Sequence, residues 1–278
     1  MKSVTTVAGV REWRRAQTGA IGLVPTMGAL HEGHLSLVRR ARQENGCVAV
    51  SIFVNPRQFG PGEDFVRYPR DIDRDRSLLS QSGCDLLFMP LVEEMYPAGC
   101  ETVVDVGSVA APLDGERRPG HFRGVATVVL KLFGIVEPTR AYFGQKDAQQ
   151  LAVIRRMAAD LNLATEIVTG ATVREADGLA MSSRNAYLIA GERAAAAVLY
   201  RALIAARDRF ATGEREADEL RRVLRQVLAS EPLAHVDYVS VADPDSMQEL
   251  TTVTAAALFS LAVRIGSTHL IDSIVVGA

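Results

Sequence analysis

From Cys47 to Val54 the chain reads Cys-Val-Ala-Val-Ser-Ile-Phe-Val, with Ser51 the one polar side chain. A half-exposed strand would alternate apolar and polar groups, and an amphipathic helix would show a polar face. A short continuous run rich in β-branched residues fits a strand covered on both sides, the situation inside a parallel sheet. The surroundings repeat the pattern. Strand candidates at Ala20–Val24, Asp85–Met89, Thr139–Phe143 and Thr165–Val168 alternate with stretches of helical spacing. The helical stretches are His34–Glu44, a helix capped by Asp71 and running through Leu79, the set Val125, Val128, Val129, Leu132 and Val136, and the set Leu151, Ile154, Ala158 and Leu161. Strands alternating with helices specify an α/β fold with a doubly wound parallel sheet.

The pattern changes after Ala171. Leu199, Ala202, Leu203, Ala206 and Phe210 mark one helix; Leu220, Val223, Leu224, Val227 and Leu228 mark another, with Gly213 between them. Strand-like runs follow at His235–Val241, Ala257–Arg264 and Thr268–Val276. Helices followed by strands without alternation read as a separate α+β domain. The expected division is a Rossmann-like domain over residues 1–171 and a smaller α+β domain over residues 172–278 that closes over a site. A chain of 278 residues is long enough to bury both cores.

The formal net charge of −2 gives no reason to expect a nucleic acid or an anionic membrane surface as partner. The apolar stretch Ala255–Val263 is interrupted by Ser260, followed by Arg264, and too short to span a bilayer. Cys47, Cys84 and Cys100 are odd in number and form no CxxC pair, so neither a disulfide framework nor a zinc site is implied. Cys47 and Cys84 read as small buried hydrophobes, and a cytoplasmic location is expected.

Four polar clusters follow strand ends or the domain junction. In the first, Val24-Pro25-Thr26-Met27-Gly28 leads to His31-Glu32-Gly33-His34. A strand ends, the chain turns, and a helix begins, presenting N–H groups and a partial positive charge suited to phosphate. The two histidines can aim donors at charge developing on an α-phosphate. A turn with two surface histidines is the plain alternative; zinc would want a third ligand, and none stands out. In the second, Asn55 and Gln58 bring uncharged amides that can read a carboxylate or hydroxyl. In the third, Gly144-Gln145-Lys146-Asp147 joins a strand to a helix: Lys146 could pair with a phosphate, Asp147 could bind a ribose or cap the helix, and Gln150 is placed one helical turn beyond Lys146. In the fourth, Met181-Ser182-Ser183-Arg184 offers hydroxyls and a guanidinium to outer phosphates, or simple turn and cap chemistry. Together they read as a site for ATP and a small substrate.

The HxGH cluster with a late Met-Ser-x-Arg loop resembles the adenylyl-transferring superfamily. Longer strings are more specific: VPTMGALHEGH at Val24–His34, SIFVNPRQFG at Ser51–Gly60, Tyr68–Arg70, HFRGVATVV at His121–Val129, Tyr142–Gln150 and VREADGLAMSSRN at Val173–Asn185. These are similar to the pantoate–β-alanine ligase family. The resemblance implies an AMP-forming ligase that joins pantoate to β-alanine through pantoyl adenylate, with ATP as co-substrate, Mg2+ accompanying it, and a homodimer as the assembly. It implies that Met27, Gly28, Ala29, Leu30, His31, Glu32, Gly33 and His34 line the ATP site. His31, His34 and Lys146 would be catalytic, with His34 the proton donor. Gly144, Gln145, Lys146 and Asp147 would hold ribose and phosphate, Val173 adenine, and Met181, Ser182, Ser183 and Arg184 the phosphates. Gln58 and Gln150 would bind pantoate, Gln58 lying near β-alanine as well, with Asn55 set beside them. The Val125, Val128 and Val129 face would wall the pantoate methyl groups or be plain core. Gln145 stands where Glu is common in the family, Ala148 where Tyr is common, and Ser273 where Asn is usual.

Two rivals remain at this stage: a nucleotidyltransferase of the same superfamily acting on another small substrate, and a nucleotide-binding regulator without turnover. Asp71, Asp73 and Asp75 are metal candidates by sequence proximity; a capped or solvated helix start explains them equally.

Overall fold

The computed structural model describes residues 1–277. They divide into two compact units: Met1–Gly144 with Val153–Gly170, and Gln145–Ala152 with the chain from Ala171 onward. Residues 145–152, numbered among the first domain in the expected division at 171/172, pack with the second unit.

In chain order the first part holds β1 (Lys2–Val4), α1 (Val7–Arg15), β2 (Ile21–Thr26), α2 (Glu32–Glu44), β3 (Cys47–Ile52), α3 (Ile72–Gln81) and β4 (Leu86–Phe88). The one-turn helices α4 (Val92–Met95) and α5 (Asp114–Arg117) follow, then α6 (His121–Val136), β5 (Arg140–Gly144), α7 (Ala148–Asp160) and β6 (Glu166–Gly170). The six strands form one parallel sheet in the order β1-β4-β3-β2-β5-β6. β3 is buried from Val48 to Ile52, as its unbroken apolar run requires. Helix α6 buries residues on every side, including Phe122, Val125, Val128, Val129, Leu132 and Phe133, so it is a core helix. The Val125 face is therefore packed interior.

Chain order moves outward from β2 through β3 to β4, then crosses back to β5 on the other side. The switch lies between β2 and β5. There the pairing covers just Gly22 with Arg140 and Leu23 with Ala141, while β2 stays paired with β3 as far as Thr26 and Ile52. Ligands of open α/β sheets bind at the carboxyl ends of strands beside such a point.

The second unit contains α8 (Ala190–Ala196), α9 (Val198–Ala211), α10 (Ala217–Leu228) and an antiparallel meander of β7 (Ala234–Ala242), β8 (Ala257–Ile265) and β9 (Thr268–Val276). Ala217, Leu220, Leu224 and Leu228 of α10 lie at helical spacing in its core, with Leu199, Ala202, Leu203 and Ala206 of α9 and Phe259, Leu261 and Val263 of β8. The first turn of α7 belongs to this unit as well.

Candidate active site

The loop after β2 is built around a carboxylate. Gly28 and Ala29 both take positive φ, +84° and +51°, which a non-glycine residue such as Ala29 adopts at a cost. A Cβ on Gly28 would also stand 3.0 Å from Ile52 Cγ2 and 3.2 Å from Asp75 Oδ2. Two consecutive left-handed residues turn successive N–H groups the same way. Ala29 N–H donates to Asp75 Oδ2 at 2.8 Å and Leu30 N–H to Oδ1 at 2.9 Å. Asp75, on α3, is 0% exposed. Burial raises its pKa, against the pull of the two N–H donors and Arg74. Asp75 is therefore a strut for the loop. Asp71 caps α3 by accepting the Arg74 N–H at 3.1 Å, and Asp73 is exposed. Among the described residues, no three or more His, Cys, Asp or Glu gather as a metal site.

His31 is the N-cap of α2. Its Nδ1 accepts the Gly33 N–H at 3.2 Å, and its own N–H reaches His34 Nδ1 at 3.4 Å. The rings lie 4.1 Å apart between centroids. A nitrogen that accepts carries no proton, so each neutral imidazole holds its proton on Nε2. The N–H groups of Gly33 and His34 are already used inside the turn, His34 N–H by the His31 carbonyl at 2.9 Å. The helix start is thus less open than its sequence suggests, and the Nε2–H groups are the donors it brings.

The loop after β3 is the second wall. Asn55 is 1% exposed and makes four hydrogen bonds: Nδ2 to Gln58 Oε1 and to the Gly124 carbonyl, each at 3.1 Å, and Oδ1 from Arg57 N–H at 3.2 Å and Tyr96 O–H at 2.9 Å. That fills the capacity of a primary amide, so Asn55 acts here as the frame for Gln58. Gln58 Nε2 in turn donates to Met27 Sδ at 3.2 Å, joining the β2 and β3 loops. Gly124 lets α6 come this close: a Cβ there would stand 2.2 Å from the Arg57 carbonyl oxygen.

A further group was not singled out from sequence. Arg118 can only donate and a carbonyl can only accept. Arg118 Nη1 lies 3.0 Å from His121 Nε2, and His121 Nδ1 lies 2.8 Å from the Gln58 carbonyl. His121 is therefore the Nδ1–H tautomer, holding the Gln58 backbone. Glu63 takes Arg118 through both carboxylate oxygens, at 2.9 and 2.7 Å. Burial works to raise the Glu63 pKa, but the Arg118 guanidinium outweighs it and leaves the carboxyl below its ordinary value. A depressed carboxyl stabilises the fold above its unfolded pKa and loses that contribution as pH falls through the folded value. The Tm advantage of the parent over Glu63→Gln is therefore expected to shrink as pH falls below about 4. Thermal melts of both proteins across that range check it; a constant difference would remove Glu63 as an ionised anchor.

In the second unit, residues 173–181 form a small hairpin. Arg174 bridges Ala180, Met181 N–H donates to the Val173 carbonyl at 3.0 Å, and Glu175 N–H to Leu179 at 2.8 Å. Val173 and Met181 are thus brought together. Ser182 Oγ accepts the Arg184 N–H at 3.3 Å and caps the 3-10 turn Ser183–Tyr187. Lys146 lies in the turn before α7, with Nζ 3.6 Å from Asp147 Oδ1. The Asp147 carbonyl accepts the Leu151 N–H, so Asp147 begins the helix. Because Lys146 precedes the helix, the one-turn spacing to Gln150 does not apply; Gln149 is the buried glutamine and Gln150 is half-buried. Gln145 shares the turn with Lys146, while Gly144 ends β5 in the first unit. All three cysteines are free; Cys84 is buried and Cys47 half-buried, so the expectation of two buried thiols holds for Cys84 alone.

Comparison with known proteins gives a consistent result. The family model described as Pantoate-beta-alanine ligase matches residues 2–275. The pantothenate synthetase of Roseiflexus sp. (strain RS-1) is 64% identical over 278 residues, covering 100% of each chain. The crystal structure of pantothenate synthetase from Thermus thermophilus superposes with a TM-score of 0.95 at 51% identity, over 99% of each chain. That of pantoate-beta-alanine ligase from Francisella tularensis, complexed with beta-gamma ATP and beta-alanine, has a TM-score of 0.82 at 34% identity, over 99% of this chain and 97% of that one.

Proposed function

The chain belongs to the pantoate-beta-alanine ligase family, and we propose that the residues described above carry out its reaction. The protein is an ATP-dependent ligase that condenses pantoate with β-alanine. A carboxylate is inert toward amines because its oxide does not leave. A pantoate carboxylate oxygen therefore bonds to the α-phosphorus of ATP, and the bond from that phosphorus to the bridging oxygen breaks, releasing pyrophosphate. The β-alanine nitrogen then bonds to the acyl carbon, the acyl–oxygen bond breaks, AMP leaves, and the nitrogen gives up a proton.

The observation that carries the residue assignment is the His31–His34 pair at the start of α2, both Nδ1 atoms on backbone N–H groups. Their Nε2–H groups suit charge growing on the α-phosphate. His34 is the proton donor, and His31 and Lys146 complete the catalytic set. The Met27–His34 loop holds the triphosphate. Gly144, Gln145 and Asp147 hold ribose and phosphate, Val173 adenine, and Met181–Arg184 the outer phosphates. Gln58 and Gln150 bind pantoate, with Asn55 and His121 fixing Gln58. Among the described residues no cluster of His, Cys, Asp or Glu would cage Mg2+, so Mg2+ would take its oxygen ligands chiefly from the triphosphate and would shield its charge. We place the protein in the cytoplasm as a homodimer without a nucleic-acid partner. Free thiols and a net charge of −2 support the compartment and the absence of such a partner, family resemblance the dimer. No described helix is long and apolar enough to cross a membrane.

The test is pyrophosphate release from ATP by purified protein, first with pantoate, then with β-alanine added. Release that depends on pantoate, with sustained AMP and pantothenate formation after β-alanine, is the expected result. Release with no requirement for pantoate would turn the reading toward another nucleotidyl transfer. Gln58→Ala and Gln150→Ala are each expected to raise the pantoate KM about tenfold, the worth of one hydrogen bond to a charged group. Unchanged pantoate KM in both would remove them from the site.

A further inference from the structure

Two adjacent residues of β9 reach two different nucleotide segments of the second unit. Ser273 Oγ donates toward the Gln145 and Lys146 carbonyls, at 3.3 and 3.4 Å. Asp272, 1% exposed, takes both guanidinium nitrogens of Arg174, at 2.6 and 3.0 Å, and also accepts the Ser273 N–H at 2.8 Å. Successive strand residues point to opposite faces, which is how neighbours in sequence serve separate segments. Arg174 follows Val173 directly. It also donates to the Gly178 carbonyl at 3.0 Å and lies 4.2 Å over the Tyr200 ring, so it fastens the 173–181 hairpin at several points. A buried ion pair returns little net stability, because desolvation offsets its attraction; what it does supply is a fixed geometry.

We propose that Asp272 and Ser273 are positioning residues for ATP: Ser273 fixes the carbonyls on either side of the Lys146 turn, and Asp272, through Arg174, fixes the Val173–Met181 hairpin. The proposal rests on the assignment of those segments to ATP made above. The strand that carries both residues, β9, is an edge strand of the meander paired with β8 along its whole length. The nucleotide segments thereby inherit the rigidity of a sheet rather than the freedom of loops.

The test is pantoate-dependent pyrophosphate release by the full chain, with ATP and pantoate varied separately and Tm recorded. Ser273→Ala is expected to raise the ATP KM about three- to tenfold, the worth of one shared hydrogen bond, with the pantoate KM within about twofold of the parent. Ser273→Thr keeps the hydroxyl and is expected to restore the ATP KM. Arg174→Lys is expected to raise the ATP KM about tenfold, because one ammonium replaces a two-pronged fork. Arg174 keeps a positive charge in that variant, so Asp272 is not left unpaired. ATP KM values unchanged in both Ser273→Ala and Arg174→Lys, in a protein that Lys146→Ala inactivates, would overturn the proposal. So would a parallel rise in both KM values with a fall in Tm, the sign of a merely structural role. Full activity in Lys146→Ala would instead overturn the assignment of the turn itself, whatever Ser273→Ala shows.

Discussion

Lys146→Ala is expected to lower pantoate-dependent ATP–pyrophosphate exchange by about a thousandfold or more while leaving the fold intact. The side chain is 17% exposed, and its ionic neighbour is the adjacent Asp147 at 3.6 Å. Removing the ammonium leaves Asp147, itself 44% exposed, to be solvated by water, so the structural cost is small. The turn's backbone is held by other means: the Leu151 N–H on the Asp147 carbonyl and the Ser273 hydroxyl on its neighbours. On the proposed assignment, what is lost is a fixed cation at a transferring phosphoryl group, where charge counts most when water is excluded. His34→Ala is expected to behave alike, since its 3.4 Å contact with the His31 N–H is a weak cap whose loss costs about 1 kcal/mol or less. Exchange rates beside Tm values decide the matter. A folded variant with near-normal exchange would end the assignment for that residue.

Asp75→Ala should damage the fold itself, by about 2–4 kcal/mol in the first unit. The reason lies in the backbone of the β2 loop. Ala29 sits in a left-handed conformation that most side chains avoid, and the two N–H groups this turn exposes end on one buried carboxylate. Without the carboxylate both donors lie next to a cavity and the strain at Ala29 is no longer offset. Asp75→Asn retains one acceptor and is expected to fall between parent and Ala variant. Chemical denaturation gives the order; in the same samples the ATP KM should rise with the loss, because Asp75 holds the loop proposed to bind ATP. An Asp75→Ala protein as stable as the parent would show that the loop holds itself.

The sheet was readable because a parallel sheet buries whole strands, and Cys47–Val54 has no alternation to confuse it. β1 and α1 escaped notice for the opposite reason: Lys2–Val4 is three residues at a sheet edge, with a polar first half. Polar contacts were readable where they are local, as in His31 and His34, which cap one helix between themselves. Asp75 was not, since its role depends on Ala29 and Leu30 lying against a helix far along the chain. His121 and Arg118 were missed likewise, because their target, the Gln58 carbonyl, is distant in sequence. Asn55 is a different case. An amide beside a strand end reads as a ligand contact, and the structure spends all four of its hydrogen bonds on the protein. Gln150 was placed by helical spacing from Lys146, which fails because the helix begins at Ala148.

The strand order also sets an order of events during folding. The meander joins neighbours in the chain, β7 to β8 to β9, so its pairings close short loops. The parallel sheet has to wait: Lys2 pairs with Leu86, and Leu23 with Ala141. Loop-closure entropy weighs most on such distant pairings. The β2–β5 junction needs the most intervening chain of any pairing in that sheet, so during synthesis the amino-terminal strands emerge long before their partners. That junction therefore closes only once the chain has passed Arg140 and Ala141, well after β2 and β3 can pair, and the meander follows later still.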